Sequence, residues 1–157
     1  MPKKGTAPLD GLGLVKERLR AGIKPPIADL IGFDLVRVGK GWSVFEMTAG
    51  PKHSNPMGTL HGGVLCDLAD AAMGIAYLST LDKGESFTTM EMKVNFLRPV
   101  WSARLVAKGK IIKKGRTTGL LECRVADEEG RLVAYATSTC LTLSEPAGDI
   151  RRAVRRP

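Results

Sequence analysis

Cysteine, histidine, aromatic residues and long apolar runs are all scarce in this chain, and each scarcity removes a class of function. The three cysteines, Cys66, Cys123 and Cys140, lie far apart among apolar neighbours. They read as buried free thiols of a reducing compartment. With only His53 and His61 and no CxxC pair, the chain lacks a zinc-site pattern, and no metal is expected. Aromatic residues make up 5% and do not interleave with basic ones, so base-stacking platforms, and with them a nucleic-acid partner, are not expected. No apolar run approaches the ~20 residues of a membrane span. The opening MPKKGTAPLDGLGLV carries lysines but no unbroken apolar stretch of the kind a secretory signal needs. A cytoplasmic protein without membrane contact is the expectation.

What is present fits one ordinary domain: 157 residues, 43% apolar and 25% charged. The charge is lopsided, with 24 Lys and Arg against 16 Asp and Glu, a formal +8. Such a balance suggests an anionic partner. Lys3 and Lys4 at one end, and Arg151, Arg152, Arg155 and Arg156 at the other, account for half of it once Glu145 and Asp149 are subtracted. Terminal charges usually belong to solvated tails. The internal run is more telling: no acid occurs from Met92 to Leu121, while Lys93, Arg98, Arg104, Lys108, Lys110, Lys113, Lys114 and Arg116 do.

Periodicity divides the chain. Leu12, Val15 and Leu19 mark one face of a helix that Gly22 and the Pro25–Pro26 pair stop, with a short second turn over Ile27 to Ile31. Phe33–Val38 and Trp42–Thr48 alternate around Gly39 and Gly41, which predicts a hairpin. Gly50–Thr59 is loop chemistry. Residues 61–80 then hold a long, apolar helix, and a helix apolar on most sides is buried on most sides. After Asp82-Lys83-Gly84 the period drops to two: Met90, Met92, Val94 and Phe96 alternate with Thr89, Glu91, Lys93 and Asn95. Strands follow at 104–113, 118–126 and 132–143. The expected units are a helical extension over 1–32, a main domain over 33–144 and a basic tail over 145–157. One helix cannot cover both faces of about six strands. The expected class is therefore α+β, a curved antiparallel sheet wrapped around a single helix.

Two places carry chemistry. His61-Gly62-Gly63 opens the long helix, although each glycine costs about 1 kcal/mol of helix propensity against alanine. Free N–H donors at a helix N-terminus suit an oxyanion; equally, the motif reads as a glycine turn capped by His61. Asp70 lies deep in the same apolar helix, where an unpaired charge is expensive. It is a candidate base or nucleophile, or a member of the helix's one wet stripe. Asp67, one turn earlier, shares the second reading.

The pattern Asn55, Gly58, His61-Gly62-Gly63 and Asp70 resembles the hot-dog-fold acyl-CoA thioesterases, and within them the PaaI-like branch that handles phenylacetyl- and related acyl-CoA thioesters. Phe96-Leu-Arg-Pro-Val100, the turn Lys113–Thr118 and the strand that follows Asp127 resemble that branch too. The resemblance runs from about Phe33 to Leu143. It implies that Asp70 attacks the thioester or activates water, that the Gly62 N–H polarises the carbonyl, and that Asn55 lies beside carbonyl and water while His61 orients the loop. Thr89 matches a hydroxyl that holds the water. Related enzymes often place another hydroxyl one turn after the acid, where this chain has Gly74. The resemblance further implies a homodimer with the site at its interface, commonly assembled into a homotetramer.

No cofactor is expected beyond coenzyme A as part of substrate and product. Its phosphates are natural partners for Gly63, Arg98, Lys113, Lys114, Arg116, Thr117 and Thr118. Met73, Tyr77, Met57 and Met92 are the expected acyl-pocket lining. The competing readings are a hot-dog hydratase or dehydratase acting on acyl-CoA or acyl-carrier protein, and a non-catalytic acyl-CoA-binding protein.

Overall fold

The computed structural model describes residues 9–143; the basic tail expected over 145–157 lies outside the described residues. Two short helices, α1 (Gly11–Arg20) and α2 (Pro26–Ile31), precede the strands β1 (Phe33–Gly39) and β2 (Trp42–Ala49). The long helix α3 (Gly62–Leu78) follows, then β3 (Ser86–Phe96), β4 (Ala103–Lys114), β5 (Thr118–Asp127) and β6 (Leu132–Leu143). The six strands form one antiparallel sheet in the order β1-β2-β4-β5-β6-β3. It carries α3 on its concave face, the hot-dog architecture that the resemblance implies.

Packing between α3 and the sheet depends on small residues. Leu65, Leu68, Ala69, Ala72, Met73, Ala76 and Tyr77 are buried against the strands. Gly109 of β4 lets the strand touch the helix, since a Cβ there would lie 2.5 Å from the Ala72 carbonyl. Beside it, the Ser43 hydroxyl donates to the same carbonyl at 2.6 Å. The Tyr77 ring takes the space a side chain at Gly119 would fill, 2.4 Å from where a Cβ would stand, and its hydroxyl shares a 2.7 Å hydrogen bond with Thr142 Oγ1. Of the three thiols, Cys123 and Cys140 are buried and Cys66 is half-buried; burial pushes Cys123 up to about 12.

Strand β3 departs from the simple alternation. A bulge between Thr89 and Glu91 leaves Met90 unpaired and shifts the phase. Phe87 precedes the bulge, Met92 and Val94 follow it, and all three pack against the core, whereas Met90 and Phe96 are exposed.

The helical extension is tied down at both ends. Gly11 N–H donates to the Leu81 carbonyl at 3.0 Å, and a Cβ at Gly11 would fall 1.8 Å from the Leu78 carbonyl oxygen, so α1 docks backbone to backbone on the end of α3. Asp10 caps α1 by accepting from Gly13 N–H at 2.8 Å. Gly32 closes α2 at φ +88°, a left-handed conformation that glycine adopts without steric cost. No helix among the described residues is long and apolar enough to cross a membrane.

Candidate active site

Beside the face that carries Leu65, Leu68, Ala72 and Ala76, a second stripe of α3 presents Asp67, Asp70, Ala71, Gly74, Ile75 and Leu78, at the i, i+3, i+4, i+7 spacing. These residues form one wall of a cavity of about 800 Å³. Phe87 and Thr89 of β3, Phe33 and Leu35 of β1, Phe45 of β2 and residues of α1 and α2 complete it. Asp70 is half-buried in this wall. Its carboxylate Oδ1 accepts from the Thr89 hydroxyl at 3.0 Å. That bond ties down one carboxylate oxygen and orients the other. The bulge after Thr89 brings the hydroxyl to the helix from an edge strand.

Asp67 shares the stripe and the cavity. Burial, and then the neighbouring Asp70 charge, push its carboxyl above the ordinary aspartate range. Gly74 leaves room for Phe87, whose ring would lie 3.2 Å from a Cβ at that position. The hydroxyl place one turn after the acid is thus filled by an aromatic ring.

The helix N-terminus is built separately. His61 is the N-cap of α3, and its Nδ1 accepts from Gly63 N–H at 2.9 Å. Val64 N–H donates to the His61 carbonyl at 3.1 Å. Among the described residues the Gly62 N–H has no such acceptor, as the first N–H of a helix requires something beyond the helix itself. The Phe96 ring covers Gly62, 3.0 Å from where a Cβ would stand. Asn55 is turned into its own loop: Oδ1 accepts from Met57 N–H at 2.9 Å and Thr59 N–H at 3.3 Å, and Nδ2 donates to Thr59 Oγ1 at 2.9 Å. His53 anchors the same loop. It donates from Nε2 to the Ile31 carbonyl at 2.7 Å, while its Nδ1 accepts from Gly50 N–H at 3.2 Å.

Asp70 and Thr89 are therefore together, as are His61, Gly62 and Gly63, with Asn55 bound within the loop that precedes them, but the two groups stand apart within one chain. Asp70 comes eight positions after Gly62, about 12 Å along the axis at about 1.5 Å per residue. One thioester cannot touch both within one subunit. The basic candidates divide as well. Arg98 follows β3 at the Gly62 end, where its backbone N–H donates to the Val133 carbonyl at 3.2 Å. Lys113, Lys114, Arg116, Thr117 and Thr118 form the hairpin at the opposite end of α3. There Lys114 Nζ donates to the Thr80 carbonyl at 2.9 Å and lies over the Tyr77 ring.

The expected methionine lining is not the observed one. Met73 and Tyr77 are fully buried between helix and sheet, Met57 is 79% exposed on the loop, and Met92 packs against the core. None of them borders the cavity. The wall that sequence reasoning missed is α1, α2 and the turn between them, whose Val15, Leu19, Ile23 and Ile27 face it. The only sequence signal was the apolar stripe Leu12, Val15 and Leu19, which shows that α1 covers something without showing what. Among the described residues no group of three or more His, Cys, Asp or Glu could hold a metal ion.

Comparison with known proteins places this geometry. Residues 57–134 match a family model described as the thioesterase superfamily. A protein of Saccharolobus solfataricus named as an esterase is 31% identical over 102 residues, 65% of this chain and 72% of its own length. The acyl-coenzyme A thioesterase PaaI of Escherichia coli is 28% identical over 108 residues, 68% of this chain and 75% of its own length. The crystal structure of a thioesterase from Haemophilus influenzae superposes with a TM-score of 0.74 at 25% identity, covering 81% of this chain and 89% of that one.

Proposed function

Because the chain belongs to the thioesterase superfamily, with a hot-dog fold of PaaI-like type, we propose that it hydrolyses the thioester of a small aromatic or medium-chain acyl-CoA to the free acid and coenzyme A. The observation that carries this reading is Asp70, a carboxylate half-buried in the wall of an apolar cavity and held by the Thr89 hydroxyl. A positioned carboxylate serves thioester hydrolysis in two ways. As a base, Asp70 takes a proton from water while the water oxygen bonds to the thioester carbon. As a nucleophile, it bonds to that carbon itself, and water then opens the anhydride. In either route the C–S bond breaks with its electron pair on sulfur, and the thiolate takes up a proton to leave as free thiol.

The carbonyl oxygen needs donors that become most effective as it gains charge. The Gly62 N–H at the positive end of α3 is suited to this, but not for the Asp70 of its own chain. We therefore assign it to the neighbouring site, so that Asp70 of one subunit works with Gly62 of the partner subunit. β3 supports this arrangement, because it is an edge strand of 11 residues that no other strand among the described residues flanks on its outer side. Asn55 and His61 then act by holding the Gly62 loop. Arg98 and Gly63, at the same end of α3, are the candidates for the coenzyme A phosphates. The Lys113–Thr118 hairpin, held at the far end of the helix, reaches them only from another subunit. Cytoplasmic location and a homotetramer built from such dimers complete the proposal.

Asp70→Asn tests it, with free thiol release followed across acyl-CoA substrates. Loss of the base should lower kcat by about 10²–10⁴-fold while the variant keeps its circular dichroism spectrum and still binds coenzyme A. Near-normal turnover would refute the assignment of Asp70. Hydration of an enoyl-CoA without thiol release would replace the thioesterase reading with the hydratase one.

A further inference from the structure

The cavity beside Asp70 is much larger than a phenyl ring needs, and its far wall comes from the part of the chain that precedes the family match. A closed apolar cavity of about 150 Å³ accommodates benzene; this one measures about 800 Å³. Its carboxylates, Asp67 and Asp70, sit with Thr89 on the reactive side. Elsewhere the lining is mostly aliphatic and aromatic. Lys24 and Asp34 form an ion pair with each other, and Arg18 is an exposed residue of α1. Leu19, Ile23 and Ile27 are 39%, 62% and 45% exposed although they face this space, so the described residues leave their apolar surface uncovered. The wall is joined to the rest of the domain by the Gly11 contact with Leu78 and the Lys24–Asp34 pair, and Asp10 caps its first helix.

We propose that α1 and α2 form the distal wall of the acyl site, that Leu19, Ile23 and Ile27 set which acyl groups are accepted, and that the preferred class is an extended aliphatic chain rather than a phenylacetyl-sized group. This rests on the thioesterase reading for the head of the ligand and on the cavity alone for its tail. An aliphatic chain suits the wall because Leu, Ile, Val and Pro offer it dispersion contacts and ask for no hydrogen bonds. A hydroxylated aromatic acyl group would leave its polar atoms unpaired against the same side chains.

The test uses the full chain and compares kcat/KM for acetyl-, octanoyl-, lauroyl-, palmitoyl- and phenylacetyl-CoA. Wild-type protein should favour lauroyl- or palmitoyl- over phenylacetyl-CoA by about tenfold or more, the scale set by a few methylenes in an apolar pocket. Ile27→Trp fills the cavity and should lower the lauroyl-to-acetyl ratio by about tenfold. Leu19→Ala widens it and should shift the optimum toward the longer chain. Gly11→Val, whose side chain is outside the cavity lining, should displace α1 from its seat on Leu78 and flatten the length dependence. A preference for phenylacetyl-CoA, or ratios unmoved in both Ile27→Trp and Leu19→Ala, would overturn the proposal.

Fluorescence of cis-parinaric acid gives a readout independent of catalysis. Binding that Ile27→Trp weakens, in a protein that releases no thiol from any substrate, would keep the cavity inference and remove the thioesterase reading. Phenylacetyl-CoA hydrolysis without parinarate binding would do the reverse, and would indicate that a second copy of the chain fills this space.

Discussion

Asp67 and Asp70 stand one helical turn apart on the same cavity wall, yet their surroundings differ. Thr89 donates to Asp70, whereas no hydrogen bond or ion pair is found for Asp67 among the described residues. With its carboxyl pushed upward by burial and by the Asp70 charge, Asp67 binds its proton more tightly in the folded than in the unfolded state. Ionised Asp67 therefore opposes folding, and its cost appears as pH rises through the folded value. Asp67→Asn should be more stable than wild type at neutral pH, with the gain fading below the ordinary aspartate range; urea midpoints measured across that interval check the sign. At this scale the sequence was legible for Asp70, because a lone acid among Leu68, Ala69, Ala71 and Ala72 is visible as an anomaly. Helical spacing alone could not separate Asp70 from Asp67, because both satisfy it; the family pattern picks Asp70, and in the fold the hydroxyl of a residue 19 positions away marks it out.

At the scale of elements, the N-terminus of α3 is the most constrained feature. Its first two N–H groups have different fates: Gly63 is committed to the His61 ring and Gly62 is not. Gly62 is the first helical residue, and His61 before it is extended at φ −64° and ψ 130°, which is compatible with a following proline. Gly62→Pro should therefore leave the helix formed, with only the Phe96 ring displaced, and remove the single N–H assigned to the oxyanion. A kcat lowered by about 10²–10³-fold, with little change in melting temperature, is the expected result. Unchanged kcat in a folded variant would exclude Gly62 as the donor. Strand β3 shows where element reading falls short. Alternation of Met90, Met92, Val94 and Phe96 looks continuous in sequence, but the bulge at Met90 rephases the strand so that Thr89 and Met92 can both face α3. A bulge has no mandatory residue type, so the pattern does not reveal it.

At the scale of the whole molecule, the separation of Gly62 from Asp70 along one rigid helix makes the proposed site depend on two chains. Co-expression gives this a direct measurement. Asp70→Asn and Gly62→Pro subunits, each inactive alone, should combine into mixed dimers that carry one intact site, because a two-fold interface pairs each chain's donor with the other's acid. With random pairing, about a quarter of wild-type activity should return. No recovery in dimers shown to be mixed would place the site within one subunit. The net charge of +8 also changes meaning at this scale. Part of the internal basic run is engaged locally: Arg104 pairs with Glu46 at 2.6 Å and Lys110 with Glu122 at 2.9 Å. Glu122 is held below the ordinary glutamate range by the Tyr135 hydroxyl and then by Lys110.

The sequence by itself determined the element order, the helix that must be buried and the carboxylate that is out of place within it, because helix and strand periods and the cost of buried charge are local properties. It also carried the family resemblance through Asn55, His61-Gly62-Gly63 and Asp70. The tertiary structure decided which stripe of α3 faces the sheet and which faces the cavity, and so moved Met73 and Tyr77 from the expected pocket into the core. It also showed that α1 and α2 supply the missing wall and that the basic hairpin lies far from Gly62. These are outcomes of packing between residues distant in sequence: an apolar stripe specifies that a surface must be covered, and only the folded chain specifies what covers it.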